Sequence, residues 1–150
     1  MGVTVTLVSR RDEVVRSMQD IAAKRMEAAC MTVRDETKQM LTGTRHGLRY
    51  KVPTTGKRIG EGRSKAGTGV WYTASAPGEA PAVRLGALRS SIDYAIHGAG
   101  RALVGEIGTP QLYGVHLEYG TIHMGARPWL RKTFEACTAR IIELWRRPWF

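Results

Sequence analysis

The chain of 150 residues has little of what membrane proteins and disulfide-linked proteins depend on. No apolar run approaches the roughly 20 residues that a membrane-spanning helix needs, so we expect no membrane partner. The first eight residues alternate apolar and threonine side chains, unlike the continuous apolar stretch of a signal peptide. The two cysteines, Cys30 and Cys137, lie far apart in the sequence. We expect two reduced thiols rather than a disulfide or a metal site.

The residue patterns that carry catalysis are also missing. No two of the four histidines have the i, i+4 spacing of a helical metal site. Ser90 lacks the glycine elbow of a hydrolase nucleophile, and residues 56–60 lack the spacing of a phosphate-binding loop. The carboxylates between residues 67 and 126 are scattered over different predicted elements. We therefore expect no enzyme, no catalytic residue, no metal and no cofactor.

Acidic residues are scarce in one part of the chain, which makes that part strongly basic. The net charge is +10, and residues 43–66 hold seven Lys or Arg against one acidic residue, Glu61. Because this stretch is also rich in glycine, it predicts an extended arm at about 43–74 that cannot build its own core. The charge indicates an anionic partner, either DNA or an acidic protein surface, unless it only keeps the protein soluble. The candidate contacts are Arg45, Arg49, Lys51, Lys57, Arg58, Arg63 and Lys65.

Hydrophobic periodicity predicts one α+β domain, residues 1–150. Long N-terminal and C-terminal amphipathic helices would pack on a small, mostly antiparallel sheet, with an extended Gly-rich basic loop. Residues 1–8 alternate as a half-buried strand does. A helix would follow to about Leu41, begun by Ser9 or Asp12 and stopped by Gly43. Its predicted core stripe is Val15, Met18, Ala22, Met26, Ala29, Val33 and Met40.

The middle of the chain predicts two hairpins, a turn and a short helix. Residues 48–52 would pair with 70–74, and 94–96 with 103–107. Pro77 and Gly78 suit the two central positions of a type II turn. Pro81 would open the short helix. The predicted apolar face of this helix is Leu85, Leu88 and Ile92.

Two further helices are predicted in the last forty residues. The first, at 111–119, would place Leu112, Val115 and Tyr119 on one face. The second would begin with Pro128 in its first turn and continue to about Trp145. Its predicted core stripe is Leu130, Phe134, Cys137, Ile141 and Leu144.

Tryptophan and tyrosine dominate the aromatic residues, with four Trp and five Tyr against two Phe. These amphipathic aromatics are typical of interfaces. Trp71, Trp149 and Phe150 are the candidate interface residues, and the last two should dock on this domain or on a neighbouring subunit. Trp129, in contrast, is expected to pack under the preceding short helix.

Four sequence blocks follow one another in a distinctive order: SAPGEAP at 75–81, GALRSSI at 86–92, LEYGT at 117–121 and ARPWLR at 126–131. In this order they resemble the neck or tail-completion family of tailed bacteriophages, of the Hong Kong 97 tail-component type and similar in role to the lambda minor tail protein Z. With the leading helix, the resemblance covers about residues 10–140. Leu85 stands where the family pattern has Thr. The motif residues are Pro77, Gly78, Glu79, Pro81, Gly86, Leu88, Ile92, Leu117, Glu118, Tyr119, Gly120, Thr121, Arg127, Pro128 and Trp129.

The resemblance implies a structural subunit of the head–tail connector, which forms an oligomeric ring around the DNA path and completes the tail. The implied partners are further copies of the chain, neighbouring neck, portal-adaptor and tail-terminator or tail-tube proteins, and genomic DNA in the lumen. The implied location is the head–tail junction of the virion, after assembly in the host cytoplasm. A sequence-independent nucleic-acid-binding protein that acts outside a particle is the alternative.

Within the matched blocks, the sequence suggests how one turn is built. Gly120 would end a helix with a left-handed backbone, and Thr121 would bond nearby backbone groups. Glu118 and Arg127 flank this turn and could pair to fix the approach of the last helix. The alternative is that both charges are solvated.

Overall fold

The computed structural model describes residues 9–53 and 69–149 of the chain. These residues form an α+β fold with long N-terminal and C-terminal helices, which confirms the predicted class. The strand predicted at 1–8 lies outside the described residues. The helices are α1 (Arg11–Thr42), α2 (Ala87–Ser91), α3 (Tyr113–Tyr119) and α4 (Leu130–Arg146). The strands are β1 (Arg49–Pro53), β2 (Gly69–Thr73), β3 (Asp93–His97) and β4 (Val104–Gly108).

Helix α1 packs along α4 through a stripe that differs from the predicted one. The buried residues of α1 recur at three- and four-residue steps: Ala29, Cys30, Val33, Thr37 and Leu41. Thr133 and Cys137 face them from α4. The hydroxyl groups of Thr37 and Thr133 donate to the carbonyl oxygens four residues earlier, at 2.6 and 2.7 Å. Both threonines can therefore lie in the interface without an unsatisfied polar group.

The first ten residues of α1 do not belong to this interface. Residues 11–20 are all exposed, including Val15 and Met18, which the sequence placed in the core stripe. A helix of 32 residues is about 48 Å long, which exceeds what the body of the domain can cover. The predicted side-chain cap at its N-terminus is not formed. Ser9 Oγ only accepts a long bond of 3.4 Å from the Arg11 N–H. The helix ends before Gly43 as expected.

The predicted small sheet consists of two separate antiparallel hairpins in the described residues. The hairpin of β3 and β4 packs on α1, where Gly105 lies so close to Cys30 that a Cβ would stand 2.5 Å from its sulfur. Beside it, Leu41, Leu88, Ile92 and Trp129 form a buried cluster. This cluster joins α1, α2 and the start of α4 into one core.

The hairpin of β1 and β2 stands apart from the helices. It pairs the two predicted segments, with Tyr50 opposite Tyr72 and Lys51 opposite Trp71. Two backbone bonds, between Gly47 and Ala74 and between Ala74 and Leu48, extend the ladder at its base. The segment 54–68, which holds Lys57, Arg58, Arg63 and Lys65, lies outside the described residues.

Candidate assembly surface

The carboxylate of Glu118 holds the N-terminus of α4. It accepts hydrogen bonds from the backbone N–H groups of Trp129 (2.8 Å), Leu130 (3.0 Å) and Arg131 (3.1 Å). These are donors that have no partner within the helix, and a negative charge there also complements the helix dipole. The predicted pairing of Glu118 with Arg127 is therefore wrong, because backbone donors saturate the carboxylate. Spacing could not reveal this, since the capped residues lie eleven to thirteen positions away.

Arg127 bonds to a different block of the sequence. Its Nε donates to the carbonyl oxygen of Ser75 at 3.2 Å, and its backbone N–H donates to the carbonyl oxygen of Leu117 at 2.7 Å. The next residue, Pro128, is buried but precedes α4, which begins at Leu130. The prediction that Pro128 occupies the first turn of the helix is thus wrong by two residues. Glu118 supplies the N-terminal acceptor, and proline shapes the approach.

Trp129 packs under α3, as expected. It is 3% exposed, and its indole Nε1 donates to the carbonyl oxygen of Gly114 at 3.1 Å. Gly114 is buried at this contact, and a Cβ there would stand 2.8 Å from Thr109 Cγ2. Helix α3 can approach Thr109 this closely because residue 114 has no side chain.

The turn at residues 76–79 has the predicted geometry. Gly78 has φ of +82°, and the Glu79 N–H donates to the Ala76 carbonyl oxygen at 3.1 Å, as in a type II turn. The Glu79 carboxylate fastens the turn to residue 46. It accepts from the Ala76 N–H (2.9 Å) and the His46 N–H (3.1 Å), and it contacts His46 Nδ1 (2.7 Å). These bonds, the Ala76 amide first, lower the pKa of Glu79 to about 2.

The same turn is docked on the segment that leads into α4. The Gly78 N–H donates to the Ala126 carbonyl oxygen at 2.8 Å, and Lys132 Nζ donates to the Gly78 carbonyl oxygen at 2.5 Å. Pro77 lies against Gly125, where a Cβ would stand 3.0 Å from the proline ring. The first and last blocks of the family resemblance are therefore bonded to each other in space.

The second block contributes the buried side chains of this junction, although its helix is shorter than predicted. Pro81 is buried but does not open a helix, because α2 begins only at Ala87, after Gly86 with φ of +79°. Leu88 and Ile92 enter the core, whereas Leu85 is 89% exposed and does not share their face. A run of three apolar residues at helical spacing could not reveal that the helix starts after the first of them.

The turn after α3 is shaped by Gly120. Its φ of +81° agrees with the prediction, but its ψ of −177° gives an extended backbone that almost only glycine adopts. Its N–H donates to the His116 carbonyl oxygen at 2.9 Å, and the Thr121 N–H then donates to Met124 at 2.8 Å. Thr121 Oγ1 accepts from the His123 N–H at 3.3 Å, so the threonine bonds within its own turn as expected.

The outward face of α3 is apolar and uncovered. The predicted face of Leu112, Val115 and Tyr119 is 85%, 60% and 76% exposed, and Ile122 in the next turn is 94% exposed. The sequence placed these three side chains on one face without indicating whether that face is buried. The helix instead presents Gly114 and Leu117 to the core. Periodicity shows that a helix has an apolar face, and it cannot show whether that face meets its own chain or another.

Grooves flank α3 on both sides. One, with a volume of about 340 Å³, lies between the segment 81–89 and the side chains of Tyr113 and Leu117. The other, of about 380 Å³, is lined by Tyr119 together with Ile107 and Phe134. Phe134 was predicted to be buried in the stripe of α4 but is 53% exposed, because Thr133 takes the buried position. Together the exposed α3 face and its grooves form the assembly surface, defined by Leu112, Val115, Tyr119, Ile122 and Phe134.

Among the candidate anion contacts, Arg45 bonds to backbone carbonyl groups of its own chain. Its Nη2 donates to the carbonyl oxygens of Met40 (2.7 Å), Leu41 (3.0 Å) and Pro81 (3.2 Å). A cation is favourable at this C-terminal end of α1, where carbonyl groups are unpaired. The Arg45 guanidinium thus fastens α1 to the segment that follows the turn, and its contact with an anionic partner stays a prediction.

Trp149 docks on its own domain. The ring centroids of Trp149 and Trp145 lie 6.2 Å apart, and the Arg25 guanidinium lies 4.4 Å from the Trp149 centroid. The same guanidinium donates to the carbonyl oxygens of Pro148 (2.6 Å) and Trp145 (3.2 Å). Arg25 was missed in the sequence, since its partners lie more than 100 residues away. Phe150 lies outside the described residues.

Within residues 9–53 and 69–149, no three His, Cys, Asp or Glu side chains are placed to hold a metal ion. The thiols of Cys30 and Cys137 are both buried, and desolvation raises the pKa of each. None of the helices in these segments is long and apolar enough to cross a membrane.

Comparisons with models of protein families, with curated proteins and with solved structures find no match to this chain.

Proposed function

We propose that the chain is a structural subunit of the head–tail connector of a tailed bacteriophage, which forms an oligomeric ring that joins the tail to the head around the DNA path. The observation that carries this proposal is the assembly surface. Four residues in and beside α3, 60–94% exposed, are apolar, and one of them, Tyr119, lines a groove of about 380 Å³ together with Phe134. Exposed apolar patches of this kind mark protein–protein contact sites.

The position of the surface supports an assembly role. Three of the four blocks that resemble the neck family are hydrogen-bonded to one another around Glu118 and the turn at Gly78, and the remaining block, 86–92, packs against Trp129. The side chains of this junction bond to backbone groups and therefore fix the direction in which α3 points. A rigid support for an exposed apolar helix is what a docking subunit requires.

The size of the effect favours assembly with several contacts. Covering Leu112, Val115 and Ile122 would contribute about 4–7 kcal/mol of transfer free energy. Association costs about 4–15 kcal/mol in lost freedom of motion. One such face therefore forms a weak contact by itself, whereas a ring gives each subunit two neighbours and closes on itself.

The proposal is tested by measuring the mass of the full-length protein by native mass spectrometry, alone and mixed with the neighbouring neck and tail proteins. Val115→Ser should shift the distribution toward the monomer with an unchanged melting temperature. Ile142→Ser, a matched control on an exposed position of α4, should leave it unchanged. A wild-type chain that stays monomeric alone and in every mixture contradicts the proposal.

A second candidate function is a sequence-independent nucleic-acid-binding protein that acts outside a particle. The observation that favours it is the exposed pair of Arg49 and Trp71 on β1 and β2. The two functions differ in their response to salt. A phosphate binder loses affinity steeply between low and moderate salt, while apolar ring contacts persist.

A further inference from the structure

The two faces of the β1–β2 hairpin differ in chemistry. Alternation along the strands places Tyr50 and Tyr72 together on one face, with ring centroids 5.3 Å apart. This face points toward the rest of the domain, because the Tyr72 hydroxyl donates to the Ala82 carbonyl oxygen at 3.0 Å. Burial there raises the pKa of Tyr72. The opposite face carries Arg49, Lys51 and Trp71 and therefore points outward.

The outward face holds a pre-positioned cation. The Arg49 guanidinium lies 4.9 Å from the Trp71 ring centroid, and Trp71 is 56% exposed. Stacking on the indole restricts the long arginine side chain while leaving the N–H groups at its edge available to an acceptor. In the described segments, no carboxylate pairs with Arg49. Neither β1 nor β2 contains an acidic residue.

The shape of the hairpin decides between an acidic protein and nucleic acid. A stable protein interface buries about 800 Å² on each partner and has a core poor in charge. The outward face is only two strands wide and carries two cations, so it does not fit that pattern. A two-stranded ribbon does fit the major groove of B-form DNA, about 12 Å wide, and Arg49 on it can contact a phosphate.

We propose that the outward face of the β1–β2 hairpin binds the phosphate backbone of duplex DNA without regard to base sequence, with Arg49 as a phosphate contact positioned by Trp71. The inference rests on the proposed function for the presence of DNA beside the protein. It adds the surface and the chemistry of that contact. Phosphate contacts of this kind position a protein on a duplex and carry no sequence information.

The test uses the full-length protein and a fluorescently labelled duplex of mixed sequence. Affinity is measured by fluorescence anisotropy at several salt concentrations between about 50 and 200 mM. Arg49→Gln should reduce the slope of log affinity against log salt by about 0.9 and weaken binding to unrelated duplexes equally. Trp71→Ala should weaken binding about 2- to 5-fold with little change in slope, because the arginine remains but is no longer positioned.

Arg101→Gln is the matched control, since it removes the same charge from an exposed turn between β3 and β4. It should leave the slope unchanged. Equal effects of Arg49→Gln and Arg101→Gln would overturn the proposal, because net charge alone would then explain binding. Competition by polyglutamate as effective as that by unlabelled duplex would overturn it in favour of an acidic protein partner.

Mass measurements on the same samples separate this inference from the ring. If the protein stays monomeric and Arg49→Gln loses a phosphate contact, the ring is wrong and the hairpin contact is supported. If the protein forms a ring and Arg49→Gln and Arg101→Gln weaken its binding to duplex equally, the hairpin contact is wrong and the ring is supported. Melting curves of each variant establish that loss of binding is not loss of folding.

Discussion

Replacing Glu118 by alanine should destabilise the protein strongly for a single change at a half-buried position. The substitution leaves the backbone N–H groups of Trp129, Leu130 and Arg131 without their acceptor. Loss of a capping side chain costs about 0.5–2 kcal/mol, and loss of a charge near a helix end adds about 0.3–1 kcal/mol. Because three donors share this one carboxylate, we expect a total of about 2–3 kcal/mol.

The expected change in melting temperature follows from the size of the chain. For a protein of about 150 residues, each kcal/mol lowers the melting temperature by about 2–4 °C. Glu118→Ala should therefore lower it by roughly 5–10 °C in a circular dichroism melt. Glu118→Gln keeps one carbonyl oxygen but loses the charge, so its effect should be intermediate.

The control for this experiment is Glu135→Ala, which removes the same group from an exposed position of α4. An exposed substitution of this type changes stability by less than about 0.5 kcal/mol. If Glu118→Ala melts within a degree or two of Glu135→Ala, the carboxylate does not hold the helix. The assignment of Glu118 as the cap of α4 would then be wrong.

Three other substitutions address the junction and the C-terminal segment. Glu79 has a pKa lowered from 4.5 to about 2, so its contribution to stability is present above about pH 4.5 and is lost as the pH falls toward 2. The difference in urea midpoint between wild type and Glu79→Gln should shrink across that window, and a difference independent of pH would contradict the assignment. Gly114→Ala should destabilise by about 1–3 kcal/mol because of the contact with Thr109, whereas a higher melting temperature would show that helix propensity dominates. Arg25→Ala should increase quenching of tryptophan fluorescence by acrylamide as Trp149 is released, and unchanged quenching would show that the guanidinium does not hold the ring.

The elements with local signals could be predicted from the sequence. Alternation of apolar residues identified the hairpin of β3 and β4, and the pair Pro77–Gly78 identified the turn, because these patterns depend on neighbours within a few residues. The end of α1 before Gly43 followed in the same way. The start of α2 was misplaced because Pro81 resembles a helix start whether or not a helix follows.

The bonds that join distant segments could not be predicted. Arg45, Arg25 and Glu118 each bond to backbone groups, which every residue possesses, so no sequence pattern identifies the partner. The exposure of the α3 face could not be predicted for a related reason. Leu112 and Val115 have the spacing of core residues, and only the completed fold shows that the core is already filled by Leu88, Ile92 and Trp129.

The carboxylate that α3 shares with α4 has a mechanical consequence. The C-terminal half of α3 and the first turn of α4 move as one piece, because Glu118 grips three successive amides of the longer helix. Helix α4 spans about 25 Å, so a small tilt imposed on α3 by a neighbour becomes a larger sideways movement at the far end of α4. At that end Trp145 and Trp149 contact Arg25 of α1. The movement would therefore pull on the contacts that join α4 to α1. A neighbour that tilted α3 would thus displace the C-terminal end of α4, at the opposite end of the protein.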